Sequence, residues 1–144
     1  MKYISTIAIL AAVLHLAGCD DNDMNPKSQD LKFLTAATWS HADVSHTTDG
    51  NLSDQYQNFA ISFSNNAGDG YEGTFLISNG GFAFPENAGK WKFNAELDQI
   101  IFDSGRAIQY EVDKNALHLD FTISAPGGRT NGLGGHFIFD LKPL

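Results

Sequence analysis

Seven consecutive residues, Leu117-His118-Leu119-Asp120-Phe121-Thr122-Ile123, alternate apolar and polar without a fault. Successive side chains of an extended strand point to opposite faces, so this rhythm describes a half-buried strand; a helix of period 3.6 would scatter the same apolar residues around its axis. The rhythm recurs at 38–46, 59–64, 71–78, 89–94, 99–103, 107–113 and 136–142. It is plainest where Phe59, Ile61 and Phe63 share a face and where Trp91 and Phe93 oppose Lys90 and Lys92. Eight strands are therefore expected. Several of the links between them carry turn formers, as in Ser104-Gly105 and Asp113-Lys114-Asn115, and all are too short to hold crossover helices. Consecutive strands must then pair antiparallel as a meander. A meander with one apolar face satisfies both of its edges by closing, which predicts an all-β, eight-stranded antiparallel up-and-down barrel. A β-sandwich has the same alternation and stands as the alternative. Only 30–37 reads as helical, a short plug ahead of the first strand.

A barrel of this kind needs enough apolar material to fill it. The chain is 42% apolar and 12% aromatic with only 18% charged residues, sufficient for a core without disulfides. Cys19 is its only cysteine, which leaves no thiol for chemistry once that residue is modified. The formal charge of −8 repels phosphate, so nucleic acid is excluded as a partner, and no basic patch is available for adhesion to anionic lipid.

The amino-terminal end reads as an address. Met1-Lys2 gives a positive start, and 4–16 is an apolar run too short to span a bilayer. Leu16-Ala17-Gly18-Cys19 resembles the lipobox of bacterial lipoproteins at all four positions. The resemblance implies cleavage after residue 18, a diacylglycerol thioether on Cys19, and usually a third, amide-linked chain, which together fix a protein to a membrane. Asp20-Asp21-Asn22-Asp23 resembles the surface-export signals of Bacteroidetes lipoproteins, although an Asp directly after the cysteine directs inner-membrane retention in enterobacteria. The outer membrane is the favoured location. Residues 19–30, polar and containing Pro26, are expected to form a flexible tether between signal peptide 1–18 and domain 31–144.

Within that domain, Leu34-Thr35-Ala36-Ala37-Thr38-Trp39, the Gly89-Lys90-Trp91-Lys92-Phe93 strand and a final Phe137-Ile138-Phe139-Asp140-Leu141 strand resemble the lipocalin-like lipoproteins of Bacteroidetes. Ala37 stands where true lipocalins have Gly two residues before the first-strand Trp. The resemblance implies a calycin-like barrel with an internal apolar space.

In a meander every second loop lies at the same end. The long connections 47–58, 79–88 and 124–135 then share one mouth, and the short ones 65–70, 95–98 and 114–115 share the base, where the tether enters. The mouth should point away from the membrane. Phe82 and Phe84 lie on a mouth loop, either exposed for binding or folded inward as a lid, and both arginines, Arg106 and Arg129, fall in mouth loops, where a carboxylate is a conceivable partner and a local ion pair an ordinary one. The candidate ligand-binding set is Trp39, Ile61, Phe63, Phe75, Phe82, Phe84, Trp91, Arg106, Tyr110 and Arg129, with Phe93, Leu119 and Phe139 completing the inward rows. All of the inward residues are core residues first.

Catalytic signatures are missing. The chain contains no Gly-x-Ser-x-Gly elbow, HExxH helix or CxxC pair, and 127–132 lacks the GK[ST] and following helix of a phosphate loop. His118, Asp120, His136 and Asp140 share the polar face of the last two strands, where solvated surface is the simpler reading than a metal site. No enzyme activity, cofactor or metal is expected. Two functions remain: a cell-envelope lipoprotein carrying a small apolar or amphipathic ligand in its barrel, or a solid barrel presenting its long loops to a protein or glycan partner.

Overall fold

The computed structural model describes residues 26–66, 70–124 and 134–144. Helix α1 (Pro26–Ala36) leads into strands β1 (Thr38–His46) and β2 (Gly50–Asn51), a 3₁₀ turn at Ser53–Tyr56, and strands β3 (Ala60–Asn65), β4 (Glu72–Ser78), β5 (Ala88–Phe93), β6 (Gln99–Phe102), β7 (Ala107–Val112), β8 (Leu117–Ile123) and β9 (Gly135–Pro143). All of the strand pairings are antiparallel, and β9 returns to β1, so β1 and β3 to β9 close an eight-stranded up-and-down barrel. Closure decides against the sandwich. Each of the eight expected strands is present within about two residues of its expected ends, as period-two patterning permits.

Closure is uneven around β1, a feature that no local pattern announces. The ladder between β1 and β9 shifts register between Ser40 and Asp43, where His41 takes a positive φ of 51°. This bulge swings β1 away from β3, which it meets only at Thr38↔Ser62 and Trp39↔Ile61. Ser40 Oγ spans the gap by donating to the Phe59 carbonyl at 2.7 Å. Beyond it, β2 folds back on β1 at Ser45↔Asn51 and His46↔Gly50 and covers the edge that β3 has left.

One expectation needs correction. The helix starts at Pro26 rather than near residue 30, so 26–30 of the expected tether are helical. Proline suits a first helical turn, where its missing N–H has no partner to lose. Tertiary packing holds the rest: Leu34 is fully buried, its carbonyl accepts the Trp39 indole N–H at 3.0 Å, and the Tyr110 phenol reaches Asp30 at 3.1 Å. The same phenol donates to the Leu97 carbonyl at 3.0 Å, in the short 95–98 loop. Helix α1 therefore closes the base of the barrel, at the short-loop end, as the loop lengths implied.

The interior is filled by rings in separate groups. Toward the base, Phe63 meets Trp91, Trp91 meets Phe93, and Phe93 stacks on Tyr110, with centroids 5.0 to 5.7 Å apart. Phe75 and Phe102 stack at 4.0 Å between the two ends. Toward the mouth, Phe59, Phe84, Phe121, Phe137 and Phe139 form a second network. Trp91 fits because β4 has no side chain at Gly73: its indole N–H bonds the carbonyls of Ser64 and Thr74 at 3.2 and 3.1 Å, and a Cβ on Gly73 would lie 1.7 Å from the Ser64 oxygen.

Candidate functional site at the barrel mouth

The 79–88 connection has too many apolar residues to remain in water, and it folds into the opening. Asn79 and Gly81 take positive φ values of 55° and 57°, which turn the chain sharply, and the Phe84 N–H closes the turn on the Gly80 carbonyl at 3.0 Å. Gly80 has no room for a side chain, since a Cβ there would lie 2.6 Å from the Phe84 oxygen. Asn79 Nδ2 ties the start of the loop to the Asn58 carbonyl at 2.8 Å. The outcome is a strap across the mouth. Within it Ala83 and Phe84 are buried and Phe82 is half-buried. Phe84 packs on Phe59, Phe121 and Phe139, and Phe82 on Phe137.

The polar groups at the mouth converge on this strap. Arg106 follows the Ser104-Gly105 turn, where Gly105 has a φ of 87°. One guanidinium nitrogen donates to the Ala83 carbonyl, and another stands 3.5 Å from Glu86 Oε2. The guanidinium carbon lies 5.7 Å from the Phe84 ring centroid and 5.6 Å from that of Phe121, close enough for attraction between a cation and an aromatic face. The Arg106 side chain is only 15% exposed and that of Glu86 20%, so this pair is largely desolvated, and Glu86 Oε2 is buried without a hydrogen bond among the described residues. The Ala83 N–H donates to the Tyr56 phenol at 3.3 Å. Burial pushes the Tyr56 pKa up, and the hydrogen bond from Ala83 offsets this only in part.

The base has its own polar closure. Burial raises the Asp30 carboxyl above its ordinary value against the smaller, opposing effect of its hydrogen bond to Tyr110. Tyr110 is pushed far upward, first by burial and then by the neighbouring Asp30 carboxylate. Its hydroxyl stays protonated at any physiological pH.

The candidate residues thus separate by level. Trp39, Ile61, Phe63, Phe75, Trp91 and Tyr110 are buried on strands, while at the mouth Phe84 meets Arg106 and Phe82 packs apart from both, on Phe137 and Tyr56. Arg129 and Cys19 lie outside the described residues. Tyr56 and Glu86 were missed. Tyr56 is one of two large apolar residues in the otherwise polar 47–58 loop, and that contrast was the available signal; Glu86 gave none, because its partner is remote in sequence.

Elsewhere the surface offers shallow clefts. One of about 250 Å³ lies on the outer wall between Lys90, Lys92, Ile101 and Asp103, and another of about 220 Å³ between Asp98, Glu111, His118 and Asp120. His118 pairs with Asp140, and His136 with Asp120, each at 2.6 Å. These are two separate pairs, and among the described residues no group of three or more such side chains could hold a metal ion. No described helix is long and apolar enough to cross a membrane. No family model and no curated protein matches the chain.

Proposed function

We propose that the chain is an exported, lipid-anchored barrel that takes a small apolar or amphipathic ligand into its upper half, in the space now filled by the strap. One observation supports this most. The rings at the base sit on strands, whereas much of the filling at the mouth, Phe82 and Phe84 with Tyr56, sits on loops. Removing a strand-borne ring means tearing the barrel wall. Removing a loop-borne ring costs only the few bonds that pin the loop, and an apolar ligand of similar volume restores the buried area. Eight-stranded barrels can be filled by side chains or hold one small ligand, and a loop-borne filling allows both states in one molecule.

The topology suits an anchor at Cys19. Helix α1 closes the base and receives the chain from its amino-terminal side, so the strap lies at the opposite end, facing away from the membrane. The protein acts by binding rather than by chemistry. Native mass spectrometry of the protein purified from its own host tests this: a copurifying amphiphile of constant mass is expected, and repeated recovery of bare protein argues against carriage.

A second reading has an observation of its own. In the closed state Phe82 and Phe84 each pack on rings of the barrel wall and the strap is pinned at Ala83, Glu86 and Asn79, which is also how a rigid rim presented to a protein or glycan would be built. Consistent recovery of bare protein that binds an envelope component through the 47–58 and 79–88 loops would favour it.

A further inference from the structure

We propose that Arg106 is both the latch of the 79–88 strap and the receptor for the head of the ligand, which is therefore an apolar molecule with an anionic end. The inference rests on the ligand reading above and adds the chemistry of recognition to it.

The Ala83 carbonyl and the Glu86 carboxylate both belong to the strap, as does the Phe84 ring; Phe121 belongs to the barrel wall. If the strap lifts, three of these four partners leave together. Arg106 stays behind on the β6–β7 turn, flanked by Phe121 alone. A guanidinium so placed has lost its anion, and once a bound molecule refills the space it is again shielded from water, which is a costly state. A ligand carboxylate restores the balance of one anion for one anion, and its planar pair of oxygens matches the guanidinium fork. A neutral apolar molecule fills the same space without that compensation.

The closed latch is also incompletely made. Glu86 Oε2 is buried without a hydrogen bond among the described residues, and it stands 3.5 Å from the guanidinium, longer than a good charge-assisted bond. An anion free to choose its own position can approach more closely. The strap is thus an internal occupant that an external one of the same chemistry, ring replaced by chain and Glu86 by carboxylate, can displace.

The test uses the full lipidated chain in nanodiscs with empty nanodiscs as blank, decanoate and decanol as probes, and hydrogen exchange at the Ala83 and Phe84 amides as the readout of the strap. Decanoate should bind at least about tenfold more tightly than decanol, the scale of one hydrogen bond to a charged group, and should speed exchange at both amides. Arg106→Gln should abolish the preference and speed exchange without any probe. Phe84→Ala, which removes the buried ring of the strap while leaving the Ala83 and Glu86 contacts of Arg106, should tighten binding of both probes. If Phe84→Ala binds both probes but the wild type shows no preference for decanoate, or if Arg106→Gln keeps the preference, the latch is overturned and the chamber survives. If neither wild type nor Phe84→Ala binds either probe, the chamber is overturned and the latch with it.

Discussion

The Tyr110 phenol on β7 lies 3.1 Å from the Asp30 carboxylate on α1, across 80 residues of sequence, and this contact fastens the helix to the base of the barrel. The phenol has one proton and two acceptors, Asp30 and the Leu97 carbonyl. When Asp30 is protonated it can donate to the phenol, which then donates to Leu97, and every group is satisfied.

Stability should follow that proton. Burial holds the Asp30 carboxyl above its ordinary 3.8, so the folded chain binds the proton more tightly than the unfolded one. The contribution is therefore fully present below the ordinary value and is lost as pH rises through the raised folded value. Asp30→Asn keeps an acceptor for the phenol and cannot ionise. Its melting temperature is expected to match wild type in acid and to exceed it at neutral pH. A variant less stable than wild type at neutral pH would mean that the ionised carboxylate is the preferred partner of the phenol.

At Gly73 the constraint is steric. A Cβ would stand 1.7 Å from the Ser64 oxygen, 2.8 Å from the Ser64 carbonyl carbon and 2.9 Å from the Trp91 indole nitrogen, and the first two are backbone atoms fixed in the barrel wall. Gly73→Ala should cost about 3 kcal/mol or more, at or beyond the upper end of ordinary overpacking, measured by urea unfolding, with a red shift of Trp91 emission. A cost under about 1 kcal/mol would mean that β3 and β4 separate easily there.

Two phenylalanines at the mouth distinguish loop filling from strand filling. Phe139 on β9 and Phe84 on the strap are both buried and in contact, with centroids 5.2 Å apart. Phe139→Ala should cost about 4 kcal/mol, as expected for a ring lost from a rigid wall. Phe84→Ala should cost less, about 3 kcal/mol at the low end for a buried ring, because the strap can settle into the vacated space. Equal costs in denaturant unfolding would mean that the strap is as fixed as the strands.

The anchor is tested through Cys19. Replacement by Ser should leave the protein unprocessed at the lipobox and abolish incorporation of labelled palmitate. Palmitate labelling of Cys19→Ser equal to that of wild type would eliminate the lipid at this residue.

Strands were legible because their rule is local. Leu117–Ile123 declares its two faces in seven letters, and Trp39, Ile61, Phe63, Trp91 and Phe139 followed the same rule into the core. Features set by distant contacts were not legible. The polar run Ser28-Gln29-Asp30 becomes helical because Tyr110 and the barrel base receive it, and two-residue β2 exists because a bulge at His41 opens an edge for it. The inward fold of Phe82 and Phe84 was one of two readings that the sequence allowed. That Arg106 would hold this fold shut depends on Ala83 and Glu86, some twenty residues away, and no spacing rule connects them.

If the upper half of this barrel is a chamber occupied by its own strap, decanoate must take the place of the strap rings. Intermolecular nuclear Overhauser effects in the isotope-labelled protein with decanoate read this exchange. Contacts are expected from the alkyl chain to the ring protons of Phe121, Phe137 and Phe139, together with loss of the contacts of Phe84 with Phe121 and Phe139. Saturating decanoate that leaves these rings undisturbed, and instead contacts outer-wall residues such as Leu76, would contradict the exchange.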